Sequence, residues 1–477
     1  MSREVRKVGE TRDFDVVVIG GGVLGTAVAA RLSSTNARVA LVEAEADVAE
    51  HASKGNAGVA VSYYGGPGLQ QTSLINASNP HWEEITARLD VPFRRLGGVM
   101  VALSANDEEH LPSTLEEVLG CGVRGEMVTA TRVTELEPLV SDKVRSGLFL
   151  PDEGVIDPMR LTVAYAVIAA TNGVQVRRSE RVMRIEQSPG RSLVITDKAQ
   201  LETRFVVNAA GVRAAHISEL AGGEAFTSHP RKGQYVLLDR SFGSQMSRIV
   251  FSTHTPTTKG SNVVPTTHGS VLLGPTATDL EDPDDRATDA DTIAWIVDNA
   301  RRLVPSTATA HRIKTFAANR PAGDEAHRLR RDRLVPNLVH VTDRSSGVSI
   351  SPAAAELVLS ILRDAGLDVE ENPRAVTRLP LVPRLRTSLN PESLPASDPL
   401  YGQVICACEH VSAAEINQAL TGPVPAISVD GVRKRSGAGY GRCQGSLCMA
   451  GVSFLTAMAT GTGPNSVHQT ARGTVGS

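Results

Sequence analysis

Four of the five cysteines lie close to the C-terminal end of the chain, and their spacing could hold a metal. They form a C-x-C pair, Cys406 and Cys408, and a C-x₄-C pair, Cys443 and Cys448. Two such pairs supply four thiolates, a complete sulfur set for zinc or for an iron–sulfur centre. Structural zinc sites more often use C-x₂₋₄-C pairs, so the C-x-C pair is less usual for zinc. The residues alone leave both metals open.

A glycine-rich stretch near the N-terminus predicts a second kind of chemistry. Gly20, Gly22 and Gly25 follow a short β-branched run, residues 16–19, in G-x-G-x-x-G spacing. This spacing allows a tight turn, a close approach of a pyrophosphate to the backbone, and close packing of helix on strand. Glu43 ends the next strand, where a carboxylate can hydrogen-bond a ribose diol. The stretch predicts dinucleotide binding but does not distinguish FAD from NAD.

Alternating strand and helix patterns indicate the elements that position these residues. A loop of small residues, 51–58, could lie against a flat ligand, and residues 205–211 read as a buried strand that ends in small residues. A helix is expected from Ala353, with Ser351 as its N-cap and Pro352 as its first residue. A proline-rich stretch, 373–400, reads as an extended linker.

Length and composition exclude several classes of protein. The chain has 477 residues, enough for two to four domains, with a formal net charge of −3 and 4% aromatic residues. Nothing in this balance favours a nucleic acid as partner. The N-terminus has no apolar signal segment, and no run approaches the roughly 18 apolar residues that span a bilayer. We therefore expect a cytoplasmic protein. Peripheral membrane association through a partner remains an alternative.

The glycine stretch and several later segments together resemble the D-amino-acid oxidase-like superfamily of FAD-dependent oxidoreductases. The resemblance covers about residues 13–365 and is closest to glycerol-3-phosphate and L-2-hydroxyglutarate dehydrogenases. Beyond the glycine turn it rests on residues 53–58, 208–211, 231–235, 264–269, 273–276, 316–321 and 346–347.

The resemblance implies an α/β fold, in which a Rossmann-like FAD-binding domain carries an inserted antiparallel-sheet substrate domain. The FAD-binding domain is expected from residues 13–80, 150–225 and 330–372, and the substrate domain from residues 81–149 and 226–329. The resemblance also implies which residues meet FAD. Gly20, Gly22 and Gly25 would contact the pyrophosphate, Glu43 the adenosine ribose, Val182 the adenine, and Ser53, Lys54, Gly55, Asn56, Gly58 and Gly347 the flavin.

Arg320 matches a position where relatives hold a substrate-binding arginine, and a guanidinium suits a carboxylate or phosphate. The sequence departs from the family at another point. Relatives of the hydroxy-acid type often have a histidine shortly after the Asn-x-Gly loop, where this chain has none in residues 61–64. His254 and His268 are therefore the candidate catalytic bases.

The cysteine-rich segment, about residues 401–455, resembles the bacterioferritin-associated ferredoxin-like [2Fe-2S] domain. The resemblance rests on residues 406–409, 430–435 and 441–445. It implies that Cys406, Cys408, Cys443 and Cys448 bind a [2Fe-2S] cluster. The nearby basic residues Arg433, Lys434, Arg435 and Arg442 would offset the anionic cluster, dock an acidic partner, or simply form a solvated basic face. We expect this domain at 401–460, followed by a disordered tail, 461–477, while Cys121 is expected to be structural.

These features predict an FAD-dependent dehydrogenase that acts on a small substrate carrying a carboxylate or phosphate, in the glycerol 3-phosphate or 2-hydroxy acid class. Its electrons would leave through the [2Fe-2S] cluster to a partner subunit, an acceptor protein or a quinone. Two alternatives remain at this stage. One is an amine or amino-acid dehydrogenase of the same superfamily, and the other is a non-catalytic flavoprotein subunit that holds structural zinc.

Overall fold

A computed structural model describes residues 11–253, 261–325 and 327–470. The helices are α1 (Val23–Leu32), α2 (Gln70–Ser78), α3 (Trp82–Leu89), α4 (Ala105–Gly120), α5 (Ala130–Leu136), α6 (Pro158–Thr171), α7 (Ala214–Leu220), α8 (Arg240–Gly243), α9 (Ala290–Leu303), α10 (Gly347–Asp364), α11 (Leu394–Ser397), α12 (Ala413–Thr421), α13 (Val429–Ser436) and α14 (Met449–Thr460).

The strands are β1 (Thr11–Ile19), β2 (Val39–Val42), β3 (Val59–Ala60), β4 (Phe93–Arg95), β5 (Gly98–Ala102), β6 (Glu126–Thr129), β7 (Ser146–Leu150), β8 (Gly154–Ile156), β9 (Gln175–Arg177), β10 (Val182–Ser188), β11 (Arg191–Thr196), β12 (Gln200–Asn208), β13 (Ser228–Leu238), β14 (Ile249–Ser252), β15 (Asn262–Pro265), β16 (Val271–Gly274), β17 (Thr278–Asp279), β18 (Arg312–Gly323), β19 (His327–Arg331), β20 (Leu338–Asp343), β21 (Val404–Cys406) and β22 (Val411–Ser412).

The first sheet has a parallel centre. β1 lies between β2 and β12, β2 also pairs with β9, and β12 also pairs with β20, all in parallel. The antiparallel strands β10, β11 and β19 extend its edges. Helices α1, α6 and α10 contribute to the apolar core over this sheet, which explains why β1 and β2 are apolar throughout their buried parts. The carboxyl ends of β1, β2 and β12 therefore meet at one edge, where ligands bind in open α/β sheets.

The second sheet is mainly antiparallel and comes from two separated parts of the chain, residues 98–150 and 228–323. Its strand order is β17-β13-β16-β15-β14-β5-β7-β6, and β18 pairs with β13 over most of their length. The long β13–β18 pair brings Arg231 opposite Arg320. The fold class is thus the predicted α/β arrangement with a second, antiparallel sheet.

Helix α10 begins at Gly347, six residues before the expected start. Pro352 lies inside the helix and lacks the N–H that would bond to the carbonyl of Val348. The Ser351 hydroxyl donates to that carbonyl at 2.9 Å instead, which lets the helix pass the proline. The Asp343 carboxylate accepts from the backbone N–H groups of Ser345 and Ser346 and fixes the turn before the helix.

The last part of the chain forms a small separate core around the cysteines, built from α12, α13 and α14. The segment predicted to be a linker packs against the rest of the molecule, since Arg384 forms an ion pair with Asp90. Part of the segment expected to be a disordered tail, residues 461–470, is described and contacts this small domain. The Val429 N–H donates to the His468 carbonyl at 3.2 Å, and the Asp430 N–H donates to the Gln469 carbonyl at 2.9 Å.

The basic residues of this small domain dock it onto the first domain of the same chain. Lys434 is 1% exposed, lies 2.9 Å from the Asp47 carboxylate, and pairs with Glu50. Arg435 binds Asp47 through both terminal guanidinium nitrogens, at 2.7 and 2.8 Å. The acidic groups that Lys434 and Arg435 contact therefore lie within this chain.

We expect Lys434→Met to loosen this docking. Removal of one member of a buried ion pair leaves its carboxylates without full compensation, which costs about 3 kcal/mol. Cleavage between residues 373 and 400 in limited proteolysis should become roughly 100-fold faster, since it follows the population of the open form. Arg442→Met is the control, because Arg442 is largely exposed in its pair with Asp239 and such pairs contribute at most about 1 kcal/mol. Equal cleavage rates in the two variants would contradict the prediction.

Candidate active site and metal centre

The glycine turn after β1 needs glycine for steric reasons at two positions. Gly20 has a φ of +113°, and a Cβ there would lie 2.4 Å from the Ala209 carbonyl oxygen. A Cβ on Gly25 would lie 2.0 Å from the Gly20 carbonyl oxygen. The turn therefore packs directly against α1 and the end of β12. Gly22 meets only the Ser53 hydroxyl, at 3.5 Å from an added Cβ, so the backbone there stays open to a ligand.

A cleft of about 780 Å³ opens at this edge of the first sheet and extends to the second sheet. Most of the residues predicted to bind FAD line it, namely Gly20, Gly22, Glu43, Ser53, Gly55, Asn56, Val182 and Gly347. The N-termini of α1 and α10 both reach the cleft, and a helix N-terminus favours an anion. Its size, its glycine turn and its two helix ends fit FAD.

Glu43 ends β2 inside the cleft and holds the glycine turn. Its carboxylate accepts from the Gly21 N–H at 2.6 Å and from the Glu45 N–H at 2.7 Å. Burial raises the pKa of this carboxyl above its usual value, and the two backbone donors partly offset that effect. A carboxylate fixed in this way can still accept from a ribose diol through its remaining lone pairs.

Three predicted cofactor residues do not line the cleft. The Lys54 ammonium forms ion pairs with Glu50 and Asp430, so it is directed to the small C-terminal domain. Gly25 and Gly58 act through the backbone, since an added Cβ on Gly58 would lie 2.4 Å from the Ile156 carbonyl oxygen. One of the two carboxylate partners of Lys54, Glu50, itself lines the cleft, whereas Asp430 belongs to the C-terminal domain. Contact between Lys54 and the flavin stays a prediction.

Cationic and aromatic side chains gather where the cleft meets the second sheet. Arg320 lines it together with Arg231, Arg344, Tyr64 and Tyr235. Arg231 is neutralised by Asp279, at 2.5 and 2.8 Å. Among the described residues no carboxylate lies within ion-pair distance of Arg320, whose guanidinium donates to the Thr276 carbonyl at 3.3 Å. Burial lowers the pKa of Arg320, as expected for a cation without a counter-ion. The arrangement can bind a carboxylate or phosphate.

Among the described residues, the histidines that line the cleft are His51 and His216, and neither is a predicted base. His268 lies outside it, with its Nε2 2.8 Å from the buried Asp157 carboxylate. His254 lies outside the described residues. His51 lines the cleft, but its Nδ1 accepts from Arg286 at 2.8 Å, so its Nε2–H is directed to Glu45 at 3.3 Å. Val61, in the segment where the related proteins often have histidine, also lines the cleft.

Glu153 is a positioning residue that the sequence did not reveal, because it lies 91 residues from its partner Ser62. Its Oε1 accepts from the hydroxyl of Ser62 at 2.7 Å and from the backbone N–H of Ser62 at 2.8 Å. These bonds fix the segment that carries Val61 and Tyr64 into the cleft. Its Oε2 is buried and has no hydrogen-bond partner among the described residues, and burial raises the pKa of Glu153 to about 7.

This raised pKa predicts a pH-dependent stability. Protonated Glu153 is favoured in the folded protein, so its stabilising contribution is complete below its ordinary pKa of 4.5 and is lost as the pH rises through about 7. The rise of the Glu153 pKa from 4.5 to about 7 corresponds to roughly 3 kcal/mol. Relative to the wild type, Glu153→Gln should therefore gain thermal stability between pH 5 and pH 8, measured by calorimetry. The exposed Glu126→Gln should show a constant difference, and a flat profile for Glu153→Gln would contradict the assignment.

The four cysteines lie together as two pairs in space. Each pair joins one cysteine of the C-x-C motif to one cysteine of the C-x₄-C motif. The Sγ atoms of Cys408 and Cys443 are 3.5 Å apart. The nearby thiol of Cys448 lowers the pKa of Cys406. The Gly439 N–H donates to the Cys406 sulfur at 3.4 Å. Cys406 and Cys448 are buried, whereas Cys408 and Cys443 are half-buried.

This pairing suits a cluster with two metal ions. A tetrahedral zinc at about 2.3 Å from each thiolate would place all four sulfurs about 3.8 Å apart. Among the described residues, no three cysteine sulfurs lie within 4.8 Å of one another. Two sulfur pairs can instead ligate one iron each, and the backbone N–H groups near them favour an anionic centre. The donor set therefore fits [2Fe-2S] better than zinc.

Comparisons with known proteins agree with both sites. Residues 15–361 match the FAD dependent oxidoreductase family, and residues 404–454 match the BFD-like [2Fe-2S] binding domain. None of the described helices is long and apolar enough to cross a membrane.

The similar proteins include several that act on glycerol phosphate. The chain is 32% identical to a glycerol 3-phosphate dehydrogenase of Caloramator mitchellensis, with 94% of this chain and 95% of that protein covered. It is 24% identical to the anaerobic glycerol-3-phosphate dehydrogenase subunit A1 of Haloferax volcanii, over 91% of this chain and 81% of that protein. A solved structure of the FAD-bound L-alpha-glycerophosphate oxidase of Mycoplasma pneumoniae superimposes with a TM-score of 0.72 at 26% identity, covering 78% of this chain and all of that one.

The family match covers most of the chain, and the cleft and the cysteines supply the residues that the two cofactors need. The alternative of a non-catalytic protein with structural zinc is therefore wrong. The chain belongs to the FAD-dependent oxidoreductase family and carries a BFD-like [2Fe-2S] binding domain.

Proposed function

We propose that the protein is a glycerol 3-phosphate dehydrogenase. The observation that carries this proposal is the half-buried Arg320, which reaches the FAD cleft and has no acidic partner among the described residues. The names of the similar proteins favour a phosphate ester of glycerol as the anion that Arg320 binds. FAD, when bound, accepts a hydride from a substrate carbon.

The residues at this end of the cleft have different roles in binding the substrate anion. Arg320 presents a planar guanidinium that can bind two oxygens of a phosphate at once. A Cβ on Gly233 would lie 2.9 Å from an Arg320 Nη, so glycine there leaves the guanidinium room. Tyr235 stacks on Phe316 at a ring distance of 4.9 Å and forms an apolar wall beside the arginine. This wall excludes water and strengthens the attraction between the guanidinium and the substrate anion.

The [2Fe-2S] domain transfers the electrons one at a time from the flavin to a partner subunit, an acceptor protein or a quinone. Two observations support this proposal. The domain is docked on the loop that lines the FAD cleft, through Lys434 and Glu50. Its half-buried cysteines, Cys408 and Cys443, lie nearer to solvent than Cys406 and Cys448.

The test is anaerobic reduction of the bound flavin, followed by bleaching of its visible absorption. We expect glycerol 3-phosphate to bleach the flavin at much lower concentration than glycerol, lactate or 2-hydroxyglutarate. Among these compounds, only glycerol 3-phosphate combines a hydroxyl-bearing carbon with a phosphate, whose oxygens a single guanidinium can bind in pairs. Bleaching by 2-hydroxyglutarate alone would assign the 2-hydroxy acid class instead. Bleaching by glycine, sarcosine or proline alone would assign the amine class, and either result would overturn the proposal.

A further inference from the structure

A second cavity, of about 240 Å³, lies between the loop 50–57, the second sheet and the [2Fe-2S] domain. It shares part of that loop with the FAD cleft, but Arg320, Tyr64 and Arg344 do not line it. Its walls are largely apolar and include Leu237, Leu272 and Phe316. Of these three residues, only Phe316 also belongs to the proposed substrate site, where Tyr235 stacks on it.

The cationic side chains that line this cavity outnumber the carboxylates. Four cations line it, namely Lys54, Arg286, Lys314 and Arg433, against three carboxylates, namely Glu50, Asp157 and Asp430. The carboxylates are already engaged. Glu50 also pairs with the buried Lys434, Asp430 pairs with Lys54, and Asp157 lies 2.8 Å from His268.

Lys314 and Arg433 carry the uncompensated charge. Lys314 is exposed at the rim of the cavity and has no ion pair or hydrogen bond among the described residues. Desolvation and the nearby cations Arg433 and Lys54 lower its pKa to about 8, although the Asp430 carboxylate opposes this effect. Arg433 donates through Nη2 to the Gly439 carbonyl at 3.2 Å, but its Nε is buried and has no partner among those residues. The carboxylate near both cations, Asp430, is already paired with Lys54, so Lys314 and Arg433 together keep an excess of positive charge that favours an anion.

A third polar group lines the same cavity without a partner. The Thr266 hydroxyl oxygen is buried and makes no hydrogen bond among the described residues. A buried polar atom of this kind costs free energy unless a ligand or water satisfies it. Thr266 and Lys314 belong to the second sheet and its adjoining turn, whereas Arg433 belongs to the [2Fe-2S] domain. A ligand that meets all three would therefore join the two domains.

We propose that this cavity binds a small organic anion, distinct from the substrate site. Its carboxylate or phosphate group lies between Lys314 and Arg433 and accepts from the Thr266 hydroxyl. Its carbon skeleton packs on Leu237 and Phe316. The volume admits a ligand of about the size of one aromatic ring with its acidic group.

The test is calorimetric titration of the oxidised holoenzyme with benzoate at low ionic strength, in an Arg320→Met background that removes the anion site of the FAD cleft. We expect one benzoate per chain. Adding Lys314→Met should weaken binding at least about tenfold, because a hydrogen bond to a charged group contributes roughly 1.5–3 kcal/mol. Adding Thr266→Val should weaken it several-fold, and this variant removes only a hydroxyl that has no partner among the described residues.

Lys143→Met is the matched control, since Lys143 is an exposed lysine outside this cavity. It should leave benzoate binding unchanged. The proposal would be overturned by the absence of benzoate binding in the Arg320→Met background. It would also be overturned if the Lys314 and Thr266 variants bound benzoate as the Lys143 variant does, or if inorganic phosphate bound more tightly than benzoate, which would show that the apolar walls take no part.

Discussion

Replacement of Cys443 by alanine should leave reduction of the flavin by substrate intact and abolish onward electron transfer. Cys443 lies 3.5 Å from Cys408, so its loss removes one of the two sulfurs that can ligate the same iron. Alanine offers no ligand atom, and a [2Fe-2S] cluster needs four. The variant should purify with FAD but with far less than two irons per chain.

Two measurements check this expectation. Anaerobic stopped-flow mixing with glycerol 3-phosphate should bleach the flavin at the wild-type rate, whereas steady-state reduction of an external one-electron acceptor should fall to background. Cys121→Ala is the matched control, because Cys121 is a buried cysteine that lies in a different apolar cluster, far in sequence from the metal ligands. If acceptor reduction persists in the Cys443 variant after its iron is lost, the cluster is not on the electron route.

Replacement of Arg320 by methionine should lower kcat/KM for glycerol 3-phosphate by about 10²–10³-fold, since truncating one partner of a buried charge pair costs about 2–5 kcal/mol. Most of the loss should appear as a raised KM, because the phosphate is held equally in the ground state and the transition state. Arg320→Lys should recover only part of it, as an ammonium cannot make the two parallel hydrogen bonds of a guanidinium.

The control for Arg320 is Arg302→Met, which removes an exposed arginine at the end of α9. FAD content should be unchanged in all three variants, which separates substrate recognition from cofactor binding. A normal KM for glycerol 3-phosphate in Arg320→Met would show that another group binds the phosphate. Arg344 would then be the next residue to replace, because it lines the same part of the cleft.

The docking of the [2Fe-2S] domain connects these two predictions. Asp47 and Glu50 lie in the loop between Glu43 and Ser53, which both line the cleft. Glu50 forms an ion pair with Lys434, and Asp47 forms one with Arg435. The loop that lines the cleft on one side is thus fixed by the cluster domain on the other. A change at Lys434 should therefore disturb both cofactors, whereas a change at Arg320 should disturb neither.

Local sequence determined the parts of this protein that depend on local backbone geometry. The positions of Gly20, Gly22 and Gly25 fix a turn and a helix packing within six residues, so their spacing alone indicates a dinucleotide site. The four cysteines likewise indicated a metal centre, because few other roles require thiols at such spacing. The resemblance to a family then added the second sheet, which no local pattern could have assembled.

Only the tertiary structure decided which distant residues meet. Glu153 and Ser62, Arg240 and Glu409, and Lys434 and Glu50 are between 91 and 384 residues apart, and no periodicity connects them. The same holds for Lys54, whose position in a flavin-lining loop suggested one role and whose neighbours Glu50 and Asp430 gave it another. The charge state and the burial of a side chain depend on what packs around it. That environment is set by the assembled fold rather than by the neighbouring residues in the sequence.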